Sequence, residues 1–282
     1  MHFSTKLFNL NYLYHKRDRV WPNVMRTLFL LRRNLAAREV YSNENDSKFS
    51  SLRGKHEGRR CFIVGNGPSL RIEDLQRIHE LNDIGFAFNK IYLAFDQTDF
   101  RPTYYIVEDV LMVDSVRDEV LKLQPFTKLF PYDYEPIFRN SSNSLYYYWD
   151  IGLRLSKKPE FHPNPFYIRS GGTVTFTALQ LAVFLGCNPI YLIGCDFSFS
   201  VPNQTIKHDN EVVISDGEKN HFHPDYRKQG EKWCAPKLDL QLEAYQAARR
   251  YADQHSIQIF NATRGGRLEV FERKDLDSVL HQ

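Results

Sequence analysis

The chain is poor in sulfur: its 282 residues include 4 cysteines and 3 methionines. Cys61, Cys187, Cys195 and Cys234 form no CxxC pair and no other metal-ligand spacing, so they read as small buried thiols. Long hydrophobic runs are also missing. Nothing reaches the roughly 18 to 20 continuous apolar residues of a membrane-spanning helix, and the best local run is only Leu28 to Leu31, so the chain is not expected to span a bilayer. The N-terminus lacks a continuous apolar h-region and a small-residue cleavage site, which makes the expected location cytoplasmic. There is no GxxxxGK[ST] loop and no internal repeat.

What is present is ordinary globular material, 42% hydrophobic and 25% charged, which excludes a disordered chain or a fibre. The net charge of +3 hides an asymmetry: residues 1–60 carry 13 Lys and Arg against 5 Asp and Glu, residues 61–282 carry 24 against 29. Residues 1–38 place Leu7, Leu10, Tyr14, Trp21, Met25, Leu28 and Leu31 at mostly helical spacing, interleaved with Lys16, Arg17, Arg19, Arg26, Arg32 and Arg33, with a break at Pro22. A greasy face with a cationic rim suits the anionic inner surface of the cytoplasmic membrane, or packing on the body or on a second copy in a homo-oligomer. Nucleic acid is not an expected partner, because the dense leucines fit lipid better than phosphate tracking. Residues 42–58 are polar and turn-rich and read as a linker, so the expected division is an extension over 1–55 and a catalytic domain over 56–282.

From Arg60 onward, short apolar runs alternate with helical periodicity. Cys61 to Val64, Ile84 to Phe88, Tyr104 to Val107, Ile190 to Ile193 and Ile257 to Phe260 read as strands. Runs that are apolar at every position suit central parallel strands covered on both faces. The fold class expected is Rossmann-like α/β, a doubly wound, mostly parallel sheet with helices on both faces plus the basic N-terminal helical extension. Two stretches, about 125–165 and 198–233, show no clean period and read as irregular insertions.

In such a sheet, ligands bind beyond the carboxyl ends of the strands. The candidates are therefore Gly65, Asn66, Gly67, Pro68 and Ser69, then Asn89, Glu108 with Asp109, Asp196, and Asn261 to Gly266. Ser170, Gly171, Gly172 and Thr173 form a second glycine turn before a helix. Two glycines let a backbone approach a ligand closely, and a helix N-terminus offers N–H groups to phosphate. Leu70 stands where a dinucleotide fingerprint has its third glycine, so this is not a standard NAD loop. Asp109 and Asp196, taken as neighbouring strand ends, are candidates to bind Mg²⁺, cap helices or accept a ribose hydroxyl. His208, Asp209, His221, His223 and Asp225 are the one conceivable metal cluster, but spacing fixes no third ligand, so no metal site is expected.

The ordered set CFIVGNGPSL, FAFNKIYL, RPTYYIVED, RSGGTVTFTALQLAVFLGCNPIYLIGCDFSF, NHFHPDY and FNATRGGRLEVF resembles the MptE-like domain family over roughly residues 56–275. That family is named for a 6-hydroxymethylpterin diphosphokinase, and its bacterial members sit in surface-polysaccharide and flagellin-glycosylation contexts. The same pattern is similar to bacterial sialyltransferases that use CMP-sialic acid. The resemblance implies a glycosyltransferase taking a nucleotide-sugar donor, CMP-activated and acidic, to a glycan or lipid-linked acceptor, with no cofactor or metal required. It implies that Asn66, Gly67 and Ser69 hold the nucleotide phosphate, that Asn89 contacts phosphate or ribose, and that Ser170 to Gly172 meet sugar or base. His221 or His223 would be the general base. The alternatives are a pyrophosphokinase using Mg-ATP between Asp109 and Asp196, and a non-catalytic nucleotide-binding scaffold. Ser198 and Phe199 stand where the sialyltransferases carry a phosphate-binding tyrosine, a departure from their pattern.

Overall fold

A computed structural model describes residues 31, 34, 43–149, 158–202, 205–206 and 212–281. The expected leader helix falls almost wholly outside them. Among the described residues, no helix is long and apolar enough to cross a membrane.

The elements in chain order are α1 (Glu44–Ser50), β1 (Cys61–Val64), α2 (Ile72–Glu80), β2 (Ile84–Phe88), β3 (Tyr104–Ile106), α3 (Val110–Val120), β4 (Thr127–Pro131), α4 (Glu135–Phe138) and β5 (Ser144–Tyr147). They continue with α5 (Val174–Phe184), β6 (Ile190–Ile193), β7 (Thr205–Ile206), β8 (Val212–Ile214), β9 (Lys232–Cys234), α6 (Leu238–Gln254), β10 (Ile259–Asn261), β11 (Glu272–Arg273) and α7 (Leu276–Leu280). Eight strands form one sheet in the order β11-β10-β6-β1-β2-β3-β4-β5. Every pairing in it is parallel.

The sheet is covered on both faces, which is why its central strands are apolar at every position. Cys61, Ile63, Phe86 and Ile106 point into a core with α5 and α6. Phe62, Val64, Ala87 and Tyr105 point into the opposite core, with residues of α2, α3 and α7. The Rossmann-like architecture is therefore present. Beyond β1 the chain builds outward through β2 to β5, then crosses back along α5 to lay β6 against the other side of β1. The strand order thus reverses between β1 and β6, and that switch point opens a crevice at the carboxyl edge.

Two expectations are corrected. The Tyr-rich stretch contributes two strands of the main sheet, β4 and β5, whose aromatic side chains pack without the uniform apolar run that marks the centre. The expected linker is partly helix: in α1, Phe49 is buried, and the Asn45 side chain accepts from Tyr146 N–H at 2.8 Å and donates to Tyr146 O at 2.9 Å. Asn45 thereby satisfies part of the exposed edge of β5. The late polar stretch carries a separate antiparallel sheet, β7-β8-β9.

Candidate functional site

The turns after β1 and β6 meet backbone to backbone at the switch point. Gly65 N–H donates to Ile193 O at 2.8 Å and Gly67 N–H donates to Gly194 O at 2.9 Å. A methyl on Gly65 would collide with Gly194 O, and one on Gly67 would collide with the Asp196 carboxylate and stand 2.7 Å from Gly194 O. Glycine at these positions is required by the protein's own close approach. Asp196 fastens the same turn, accepting from Ser69 Oγ at 2.8 Å and from Ser69 N–H at 3.4 Å. Burial raises its pKa above the ordinary carboxylate value.

This arrangement corrects the expectation that the amides of Gly65 to Ser69 grip a phosphate. Those of Gly65, Gly67 and Ser69 are already engaged, and Pro68 has none to offer. What the turn does present is Asn66. Its Nδ2 donates to Phe88 O at 3.2 Å, while its buried Oδ1 has no hydrogen-bond partner. Asn89, at the end of β2, sits at φ +51° and its backbone oxygen accepts from Tyr105 Oη at 2.6 Å.

The second glycine turn lies at the same edge, at the start of α5. Thr173 caps the helix by accepting from Thr175 N–H at 3.3 Å. Gly171 packs against Phe176 and Ala244, and Gly172, at φ +71°, accepts from Gln241 Nε2 at 2.9 Å through its carbonyl. Both glycines are thus explained by close packing on α6. Ser170 directly precedes them in the same turn. The two turns communicate through Cys195, whose Sγ reaches the Thr175 hydroxyl and the Gly65 backbone, and whose thiol is pushed up to about 12 by burial and by Asp196.

Asp109 and Asp196 are not on neighbouring strands. β1 and β2 lie between β6 and β3, so three inter-strand steps of about 4.8 Å separate the strand ends, far beyond the reach of one Mg²⁺. Asp109 instead caps α3, accepting from Met112 N–H at 2.8 Å. Glu108 is buried and accepts from Tyr147 Oη at 2.6 Å. Asn261 likewise serves the fold, donating to Leu268 O and accepting from Thr263 N–H. Among the described residues, no three His, Cys, Asp or Glu side chains gather as a metal site, and His208 and Asp209 lie outside those residues.

Both candidate histidines lie beside Asn66, since Phe222 N–H donates to Asn66 O at 3.0 Å. The His221 ring stacks on Tyr226 at 3.8 Å between centroids and 9° between planes. Burial, reinforced by Arg227 and Lys90, holds its pKa down at about 3. His223 Nδ1 accepts from Asp225 N–H at 3.1 Å, which in the neutral ring leaves the proton on Nε2. As it stands, His223 is a donor and a cap, and His221 is a neutral imidazole.

Sequence reasoning missed three residues here. Lys90, directly after Asn89, is buried and bonds Glu231 Oε1 at 2.8 Å. Tyr226 hydrogen bonds to the Asn89 side chain and the Lys90 backbone, tying the late loop to the end of β2. Arg227 lies under the Trp233 ring at 4.5 Å. The signal was adjacency: Lys90 and Tyr226 stand inside the runs FAFNKIYL and NHFHPDY and Arg227 directly follows the second, but a cation there looks like a solvated surface charge until burial is known.

The sequence model of the family described as 6-hydroxymethylpterin diphosphokinase MptE-like matches residues 35–202. No curated protein matches the chain. Among solved structures, the MAf glycosyltransferase from Magnetospirillum magneticum AMB-1 is similar over 82% of this chain, at 18% identity and a TM-score of 0.50. The chain spans only 38% of that structure's length, and at this identity the likeness shows the fold. A mammalian sialyltransferase in complex with Gal-beta-1-3GalNAc-ortho-nitrophenol overlaps 86% of this chain and 85% of its own at 13% identity and a TM-score of 0.32, too slight to bear on this chain.

Proposed function

The chain belongs to the 6-hydroxymethylpterin diphosphokinase MptE-like family, and from that premise we propose that it is a glycosyltransferase that moves an acidic, CMP-activated sugar to a bacterial surface glycan or its lipid-linked precursor. The observation that carries the reading is the convergence of Asn66, Asn89 and His221 at the switch point, with Asn66 Oδ1 buried and unpartnered. That oxygen suits a hydroxyl or amino donor, which ribose and cytosine both supply. The choice of CMP rests on the motif resemblance. In this reading residues 56–282 are the catalytic domain, working in the cytoplasm, and residues 1–38 hold it at the inner face of the membrane.

In the transfer step, the acceptor oxygen bonds to the anomeric carbon as the bond from that carbon to the phosphate oxygen breaks. CMP leaves with the electron pair, and the acceptor proton passes to a base. His221 is that base, because His223 Nδ1 is occupied and its Nε2 carries a proton. Burial is the main cause of the low proton affinity of His221; an anionic donor beside Lys90 and Arg227 offsets the part that their charges add and moves the imidazole upward. His221→Ala is expected to lower transfer by at least about 100-fold with CMP binding retained, whereas His223→Ala alters mainly stability. Full activity in both variants would remove the proposed base.

A melting-temperature screen of CMP, CDP, UDP, GDP and ATP, each with and without Mg²⁺, tests the nucleotide. CMP is expected to stabilise the protein without metal. A response to ATP with Mg²⁺ alone would favour the pyrophosphokinase reading, which on this fold lacks the Asp109 and Asp196 pair it was built on. Tight CMP binding with no donor turned over would favour the scaffold.

A further inference from the structure

Arg227 stands out among the charged groups of this edge. Its side chain is only 7% exposed, yet among the described residues its guanidinium makes no hydrogen bond, and Nε is fully buried without a partner. Among the described residues Glu218 is the one carboxylate within ion-pair reach, with Oε1 3.6 Å from Nε, beyond hydrogen-bond distance and without a hydrogen-bond partner. Glu218 Oε2 is engaged by Ser215 Oγ at 2.7 Å and Asp216 N–H at 3.1 Å, which keep the carboxylate from swinging toward the arginine. Lys90 is different: its Nζ is committed to Glu231 at 2.8 Å. Buried donors are nearly always satisfied, and a forked cation left open beside a crevice calls for an oxyanion.

We propose that Arg227 is the oxyanion-binding residue of this site, taking two oxygens of a substrate phosphate or carboxylate through its guanidinium fork. The inference deepens the glycosyltransferase reading and rests on it only for the identity of the molecule that carries the anion. Position supports it. The neighbouring Tyr226 hydrogen bonds at the end of β2, and Phe222 is bonded to the turn after β1, so Arg227 belongs to a loop fixed over the carboxyl ends of both strands. The turn itself has spent its amides on Ile193, Gly194 and Asp196. With those three amides spent, side chains share the work of meeting charge on a departing phosphate, and Arg227 is a buried cation whose donors remain open. Its indole neighbour, Trp233, holds the plane of the guanidinium without using any N–H.

The test is calorimetric titration of the full chain with inorganic phosphate, acetate, CMP and cytidine. Arg227→Lys, which keeps the charge but loses the fork, is expected to weaken oxyanion binding about tenfold. Glu218→Gln, which removes the competing carboxylate, is expected to tighten it about threefold or more. Phosphate and CMP binding without acetate assigns the fork to phosphate; acetate competition assigns it to a carboxylate. Unchanged affinities in Arg227→Lys, or no gain in Glu218→Gln, would make Arg227 a structural partner of Glu218 and overturn the proposal. Should a variant melt early, the double substitution Arg227→Gln with Glu218→Gln leaves no buried charge unpaired and is expected to lose phosphate binding while staying folded. If phosphate binds through Arg227 but no nucleotide sugar is turned over, the oxyanion site stands and the glycosyltransferase reading fails.

Discussion

The turn after β1 and the loop between β8 and β9 lie at one edge of the sheet but satisfy their polar groups in opposite ways. In the turn, the amides of Gly65, Gly67 and Ser69 all find partners within the protein, and Asp196 locks it from the side. In the loop, Arg227 and Glu218 are buried with donors and acceptors left open. The difference separates scaffold from ligand chemistry. A glycine-rich turn at a switch point invites a reading as a phosphate cradle, yet here its glycines let two backbone turns press together. The buried cation with open donors comes instead from a segment with no glycine motif.

The strongest way to break this comparison is Gly67→Ala. If the turn is scaffold, the added methyl meets the Asp196 carboxylate and Gly194 O, and stability should fall by about 3 to 4 kcal/mol in urea unfolding. Adding Asp196→Ala should recover part of that loss, because one of the two colliding groups is gone while the Gly194 carbonyl remains. A Gly67→Ala protein of unchanged stability that merely failed to bind nucleotide would restore the turn to the ligand.

Much of the scaffold was legible in the sequence. Runs such as Cys61 to Val64 and Ile190 to Ile193 are apolar at every position because both faces of the sheet are covered, and α2 follows the helical spacing of Leu75 and Ile78, whereas α5 is buried on nearly every side and Leu238 and Leu242 of α6 are exposed. β4 and β5 were not legible, because Lys128, Ser144 and the tyrosines break the apolar run. Lys128 reads as surface, yet it is buried and its Nζ donates to Leu123 O at 2.6 Å. At the site, motif residues such as Asn66 and Asn89 could be named from the pattern, since loops after strands converge. The spent amides could not be foreseen, because they depend on how two turns distant in sequence meet. Nor could Arg227, whose meaning lies in burial without a partner.

The pH dependence of stability sharpens the other half of the comparison. His221 has a pKa of about 3 in the folded chain against 6.5 in a model peptide, so the unfolded chain binds more protons between those values. Stability should therefore be lost as the pH falls below about 6.5, and by linkage this one group accounts for about 2 kcal/mol between pH 7 and pH 5. His221→Phe keeps a ring over Tyr226 and removes the titration, so its stability should decline less over that window. Parallel decline in the two proteins would mean that the loop does not hold His221 buried beside Arg227 and Lys90.

The smallest effect concerns Asp109, which borders the loop but belongs to the scaffold. As the cap of α3 it satisfies Met112 N–H, and its carboxylate also reaches the Cys234 thiol on β9. Removing a cap costs about 1 kcal/mol, so Asp109→Asn, which can still accept from Met112 N–H, should fall by less than that and Asp109→Ala by about that amount. Neither should weaken the affinity for CMP, since Asp109 bears on Arg227 only as a further negative charge. A large loss of nucleotide binding in Asp109→Asn with the stability intact would place this carboxylate on the ligand side, and the boundary between scaffold and site would then run through α3 instead of stopping at the loop.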